Sequence, residues 1–197
     1  SDNIEKKFKD YIELILIKCS KSKYLSKNNW NYFRFKKIQD MLPNSICIVT
    51  YRDPLQHSYS LLNQHKNFFK LQSKDKFIKQ YMDMLHHSEF GQSYTPNFET
   101  DNKYNNFFDI NHWLEQWKKN YTYIYNNYSN NKNIFFYSYE EFCSDQFDWK
   151  KFCGLLQIKF FIPKYNFKSS TTQIDDIYDE HLLNDCYALY KKMNIKN

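Results

Sequence analysis

Alanine and valine, the usual small fillers of a protein core, occur once each in these 197 residues, at Ala188 and Val49. The interior must therefore be built from rings and from Ile and Leu, and 18 Phe and 18 Tyr supply the rings. Glycine is nearly absent too. With only Gly91 and Gly154, the chain contains no G-x-x-x-x-G-K-[ST] phosphate loop. No apolar run reaches the roughly 18 residues of a membrane span. Even YIELILIK is broken by Glu13 and Lys18. The opening residues do not read as a secretory signal peptide. Cysteine is sparse and odd in number: Cys19, Cys47, Cys143, Cys153 and Cys186 form no CxxC pair. That pattern predicts reduced, mostly buried thiols and a cytoplasmic location.

What is present is a globular composition, 42% hydrophobic and 20% aromatic, which excludes a disordered polymer despite the many Asn and Lys residues. The length suits one domain spanning 1–197. A net charge of +6 fits a phosphate-bearing partner. Lysines standing on solvated faces account for the same excess. Richness in Asn, Lys, Ile, Phe and Tyr reads as AT-biased codon usage, so Lys and Asn counts carry no functional weight. No nucleic-acid motif is recognisable, and nucleic acid is not an expected partner.

Apolar spacing from Ile4 to Cys19 predicts a first helix. KYLSK (23–27) reads as a short strand, followed by a helix over about 31–41. SICIVTY (45–51) is a buried strand, too short and β-branched for a helix. Asp53 is a good N-cap and Pro54 sits at the favoured first helical position, so a helix runs from there to about Phe69. Further helices are expected over about 74–87, 110–128 and 177–193, with a strand at 133–139 and one or two short helices after it. Residues 88–106 read as an irregular loop. Strands alternating with helices predict an α/β fold, a parallel sheet flanked by helices.

The chemistry concentrates in YRDPLQHSYSLLNQH, residues 51–65. In open parallel sheets, ligands sit beyond the carboxyl ends of the strands, where helix N-termini favour anions. Arg52 adds a permanent cation with a fork geometry suited to phosphate. On the following helix, Asp53, Gln56, Ser60, Asn63 and Asn67 fall on one polar stripe, and Leu55, Tyr59 and Leu62 on another. Two readings stay open for Arg52: an anion shared with Ser60, or a carboxylate partner with the stripe as plain solvated surface.

IVTYRDPLQHSYSLLNQH resembles the 3′-phosphate-binding segment of sulfotransferases that use 3′-phosphoadenosine 5′-phosphosulfate (PAPS), in which a strand ends in Arg and a Ser follows eight residues later. The likeness extends through KYLSKNNWNYFRFKKIQDMLPNS upstream and to Tyr139-Glu140 at the end of the 133–139 strand, covering about Lys23 to Leu156. It implies a P-loop-like sulfotransferase fold, PAPS as cosubstrate, Arg52 and Ser60 on the 3′-phosphate, and transfer of a sulfuryl group to a hydroxyl or amine acceptor. It also implies a first βα unit carrying a phosphosulfate loop, which this sequence lacks, so the chain alone is expected to be inactive. The alternative is a non-catalytic nucleotide- or partner-binding module on the same fold. Lys27, in the position of the family's strand lysine, is the candidate catalytic cation, although Asn28 and Asn29 stand where many members place a His. Lys168 and Ser169, with Ser170, form a polar loop that could close over the nucleotide. His65, His86 and His87 are candidates for lining an acceptor pocket. Adjacent His86 and His87 point about 100° apart on a helix and cannot readily share a metal ion, so none is expected.

Overall fold

A computed structural model of the chain describes residues 2–164, 167–169 and 172–195. Contacts divide the chain into two compact units, Ser1–Cys47 and Ile48–Asn197.

The first unit carries helix α1 (Asp2–Cys19), a 3-10 turn at Asn31–Phe33 and helix α2 (Phe35–Met41). The spacing of Ile12 with its apolar neighbours makes α1 helical, and Ile12 and Phe35 are the buried residues of these elements. An ion pair joins Lys37 on α2 to Glu5 on α1. KYLSK is not a strand: residues 23–27 are irregular, and Leu25 is 94% exposed. High β-propensity does not make a strand where no neighbouring strand takes up its backbone hydrogen bonds.

The second unit is built on a two-stranded parallel sheet, β1 (Cys47–Tyr51) beside β2 (Ile134–Ser138), flanked by helices. Such a pairing needs a long crossover. It is supplied by α3 (Pro54–Lys74), α4 (Lys76–Met84), the loop after it and α5 (Ile110–Tyr128). Short helices α6 (Tyr139–Phe142) and α7 (Trp149–Leu155) follow β2, and α8 (Glu180–Asn194) ends the unit. Helix α5 packs between α3 and α8, and α8 also lies on β2. Rings fill the centre, as the lack of small aliphatics requires. Leu62, Ile110 and Trp113 form a buried cluster, with Tyr59, Phe90 and Tyr94 packed against it.

Three boundaries shift for local reasons. Helix α3 runs five residues beyond the sequence reading, to Lys74, where Asp75 turns extended. There the Asp75 side chain accepts from the Phe77 amide and starts α4, which stops early at Met84, two residues before His86 takes a left-handed φ of 54°. Helix α8 starts at Glu180 because Asp179 caps it, accepting from the Leu182 amide at 3.1 Å. Among the described residues no helix is long and apolar enough to cross a membrane. All five thiols are free; Cys47, Cys153 and Cys186 are buried, Cys143 is half-buried and Cys19 is exposed.

Candidate functional site

The carboxyl ends of β1 and β2 lie side by side, and the chain leaves each through an acidic residue. Asp53 follows β1 and caps α3 as expected, its Oδ1 accepting from the Gln56 amide at 2.9 Å. Its Oδ2 accepts from the Tyr187 hydroxyl at 2.9 Å, and its own amide donates to Glu140 Oε1 at 3.1 Å. Glu140 Oε2 in turn accepts from the Tyr190 hydroxyl at 2.9 Å. Ser138 and Glu141 form a capping box that opens α6. Burial, and after it the neighbouring carboxylate, pushes the Tyr190 hydroxyl up to about 12, so it stays a donor.

Both acids are thus occupied by other donors, which leaves Arg52, one of the chain's two arginines, without a carboxylate partner among the described residues. Its guanidinium lies over the Tyr139 ring, 5.2 Å from the centroid, and its Nε is buried with no hydrogen-bond partner. A buried, unpaired guanidinium N–H costs free energy, and an anion is the partner that offsets it. The ring of Tyr139 holds the cation in place without neutralising it.

Arg52 opens a groove of about 460 Å³ that follows α3 for four turns. Gln56, Ser60, Asn63, Gln64 and Asn67 supply its polar wall, while Tyr59, Phe68 and Leu71 supply an apolar one. No acid lines it. Gln56, Ser60, Asn63 and Asn67 of the polar stripe read from the sequence therefore form one wall of a single cleft, which Asp53 does not line, and Arg52 and Ser60 both face it. Pro54 to Ser60 spans ~9 Å of helical rise, a distance that an extended arginine side chain and a phosphate together can cover. At the helix end Asp53 already caps the Gln56 amide and Pro54 has no N–H, so side chains supply most of what the site offers an anion.

The other candidate residues lie elsewhere. Lys27 is exposed in the first unit, in the irregular stretch that does not form a strand. His65 is buried in the core: its Nδ1 accepts from the Gly91 amide at 3.2 Å, and Tyr94, Phe108 and Trp113 surround the ring. Burial lowers its pKa, so it is neutral. The reason is periodicity, since Ser58, Leu62 and His65 fall at i, i+4 and i+7 on the buried seam of α3. His86 and His87 are exposed beyond α4, where His87 Nδ1 lies 3.4 Å from Glu89 Oε2. Lys168 and Ser169 are exposed; Ser170 lies outside the described residues. From that loop it is Thr172 that reaches the groove, its carbonyl accepting from Gln56 Nε2 at 2.9 Å.

Sequence reasoning missed three groove residues, Gln64, Phe68 and Leu71. They continue the Ser60 stripe at steps of four, four and three, and only Leu71 lies past the expected helix end near Phe69. Comparison with protein-family models, with curated proteins and with solved structures returns no match for this chain.

Proposed function

We propose that the α3 groove holds the 3′-phosphate end of a PAPS-type nucleotide and that the chain is a sulfotransferase-like domain of P-loop-like type. One observation carries the reading: Arg52, unpaired by any carboxylate among the described residues, shares its groove with Ser60. The guanidinium would take the 3′-phosphate through charge-assisted hydrogen bonds, and the Ser60 hydroxyl would donate a further one. The reaction is an in-line displacement. The acceptor hydroxyl or amine forms a bond to sulfur as the bond from sulfur to the bridging phosphate oxygen breaks, and the acceptor proton leaves to a base. The products are the sulfated acceptor and adenosine 3′,5′-bisphosphate.

The scarcity of glycine favours a second reading, a nucleotide-binding module without catalysis. Close backbone approach to a phosphosulfate needs a glycine-rich loop. Of the two glycines here, Gly91 packs against Gln72 and Gly154 lies in α7.

Calorimetry with adenosine 3′,5′-bisphosphate and with adenosine 5′-phosphate tests the site. The expected result is at least tenfold tighter binding of the bisphosphate, a difference of about 1.4 kcal/mol, with the preference abolished by Arg52→Ala. Equal affinity for the two nucleotides, or no effect of the substitution, overturns the reading. Transfer of radiolabelled sulfate from PAPS to a panel of hydroxyl and amine acceptors then separates enzyme from module.

A further inference from the structure

A second surface, unrelated to the groove, begins at α7. From Trp149 to Ile174 the chain holds five lysines (Lys150, Lys151, Lys159, Lys164 and Lys168) and no acid. At the chain's average of 22 acids in 197 residues, a stretch of that length would carry about three. Abundant lysine is ordinary in this composition; a run without an acid from Trp149 to Ile174, bounded by Asp148 and Asp175, is not. All five lysines are exposed, and none forms an ion pair among the described residues.

The same stretch exposes its largest apolar side chains. Phe160 is 53% exposed, Phe161 49% and Ile162 66%, with Phe167 at 39%. They are held on a built platform. The Trp149 ring stacks with Phe167 at 5.9 Å and lies 6.5 Å from Phe161, while Cys153 Sγ donates to the Phe161 carbonyl at 3.8 Å. Phe152 meets Phe142 and Phe147 edge to face, and Phe142 and Phe147 lie tilted against each other at 4.8 Å. Phe161 and Phe167 are thus anchored, and Phe160 and Ile162, next to Lys159 and Lys164 in the chain, stay exposed. A contiguous exposed apolar patch of this kind marks an interaction surface.

The chemistry of the patch selects its partner. Lysine can lay its apolar stem along such a surface and reach outward with its ammonium group, which suits the headgroup level of a bilayer. Isoleucine has no π-face on which a base could stack, which argues against a nucleic-acid platform. The other exposed apolar faces lack this charge pattern: α1 interleaves its lysines with Asp10 and Glu13, and Lys79 on α4 is paired with Asp83. We propose that the surface carrying Lys159, Phe160, Phe161, Ile162 and Lys164 docks on anionic lipid, with Phe160 and Ile162 entering the interface and the lysines on the headgroups.

Flotation with vesicles of phosphatidylcholine and phosphatidylserine tests this, with pure phosphatidylcholine as the neutral control. The chain is expected to float with the anionic vesicles only and to be released by salt. The Phe160→Ser, Ile162→Ser double variant should reduce binding at least tenfold. The Lys159→Glu, Lys164→Glu variant should abolish it, since each surface lysine contributes about fivefold. Both pairs are exposed, and an unchanged melting temperature confirms that the fold is intact; if the apolar pair fails to fold, the charge pair alone decides. Failure to float, equal binding to neutral vesicles, or flotation insensitive to the charge pair overturns the proposal. So does tighter binding of a single-stranded RNA oligomer that neither variant weakens.

Discussion

Helix α3 has two faces, and both carry polar residues to opposite ends. On the inner face Ser58, His65 and Gln72 sit in the core with Leu62 between them. His65 accepts from the Gly91 amide, and Gln72 accepts from the Gln92 amide at 2.6 Å, so these side chains tie the irregular loop after α4 to the helix. On the outer face Ser60 and Asn67, with Arg52 just ahead of the helix, line a groove that has no acid among its described lining residues. Residue type does not separate the two faces; what each side chain bonds to does. His65 and Gln72 are committed to backbone amides of the loop after α4, whereas Arg52 and Ser60 line the groove.

Substitutions on the two faces should therefore separate stability from binding. The largest effect is expected at the core. Leu62→Ala, at a fully buried site in the central cluster, should cost about 3 kcal/mol in denaturant unfolding while the nucleotide preference of the folded fraction is unchanged. Acid attacks the same side of the molecule. His112 is buried, bonded to the Tyr104 carbonyl at 3.0 Å and the Tyr94 hydroxyl at 2.8 Å, and burial lowers its pKa from 6.5 to about 4. The unfolded chain then binds a proton that the folded chain refuses, so stability is full above pH 6.5 and is lost as pH falls towards 4. The loss is on the order of 3 kcal/mol for this group, and a His112→Phe variant should show a correspondingly flatter profile in unfolding between those limits. The smallest effect is expected on the outer face. Ser60→Ala should leave the melting temperature unchanged and weaken adenosine 3′,5′-bisphosphate binding by about fivefold, the scale of one hydrogen bond. A drop in melting temperature with Ser60→Ala would erase the distinction between the faces.

Gly91 marks where the two regions meet in the chain's own logic. Its φ of +83° suits glycine, and an added Cβ would stand 2.3 Å from Gln72 Oε1. Gly91→Ala should lower stability by about 2 kcal/mol in thermal unfolding, through backbone strain and displacement of Gln72.

Much of this was written locally and could be read from the sequence. Asp53-Pro54 announces a helix start by cap and by fixed φ, and the spacing of Trp113, Trp117 and Ile124 gives α5 from end to end. That Ser60 lines the same groove as Gln56, Asn63 and Asn67 also follows from helical spacing. What stayed hidden depends on partners remote in sequence. Tyr187 and Tyr190 engage Asp53 and Glu140 from 134 and 50 residues away, and no local pattern announces them. KYLSK has the composition of a strand but no neighbour to pair with, a fact of topology. Gln116 bonds both the amide and the carbonyl of Phe98, which orders a loop whose residues alone read as irregular. Polar residues on the α3 seam disguised its length and the burial of His65.

The tyrosine hydroxyls of α8 have a consequence for how a bound anion would be felt. Tyr51 also reaches this helix, donating to Asn194 Oδ1 at 2.5 Å, so three phenols rivet the last helix to the strand ends beside Arg52. Ligand occupancy at one end of the sheet should then slow amide hydrogen exchange far away in sequence, in the final turns of the chain. The carboxyl-terminal helix becomes a reporter of whether the groove is filled.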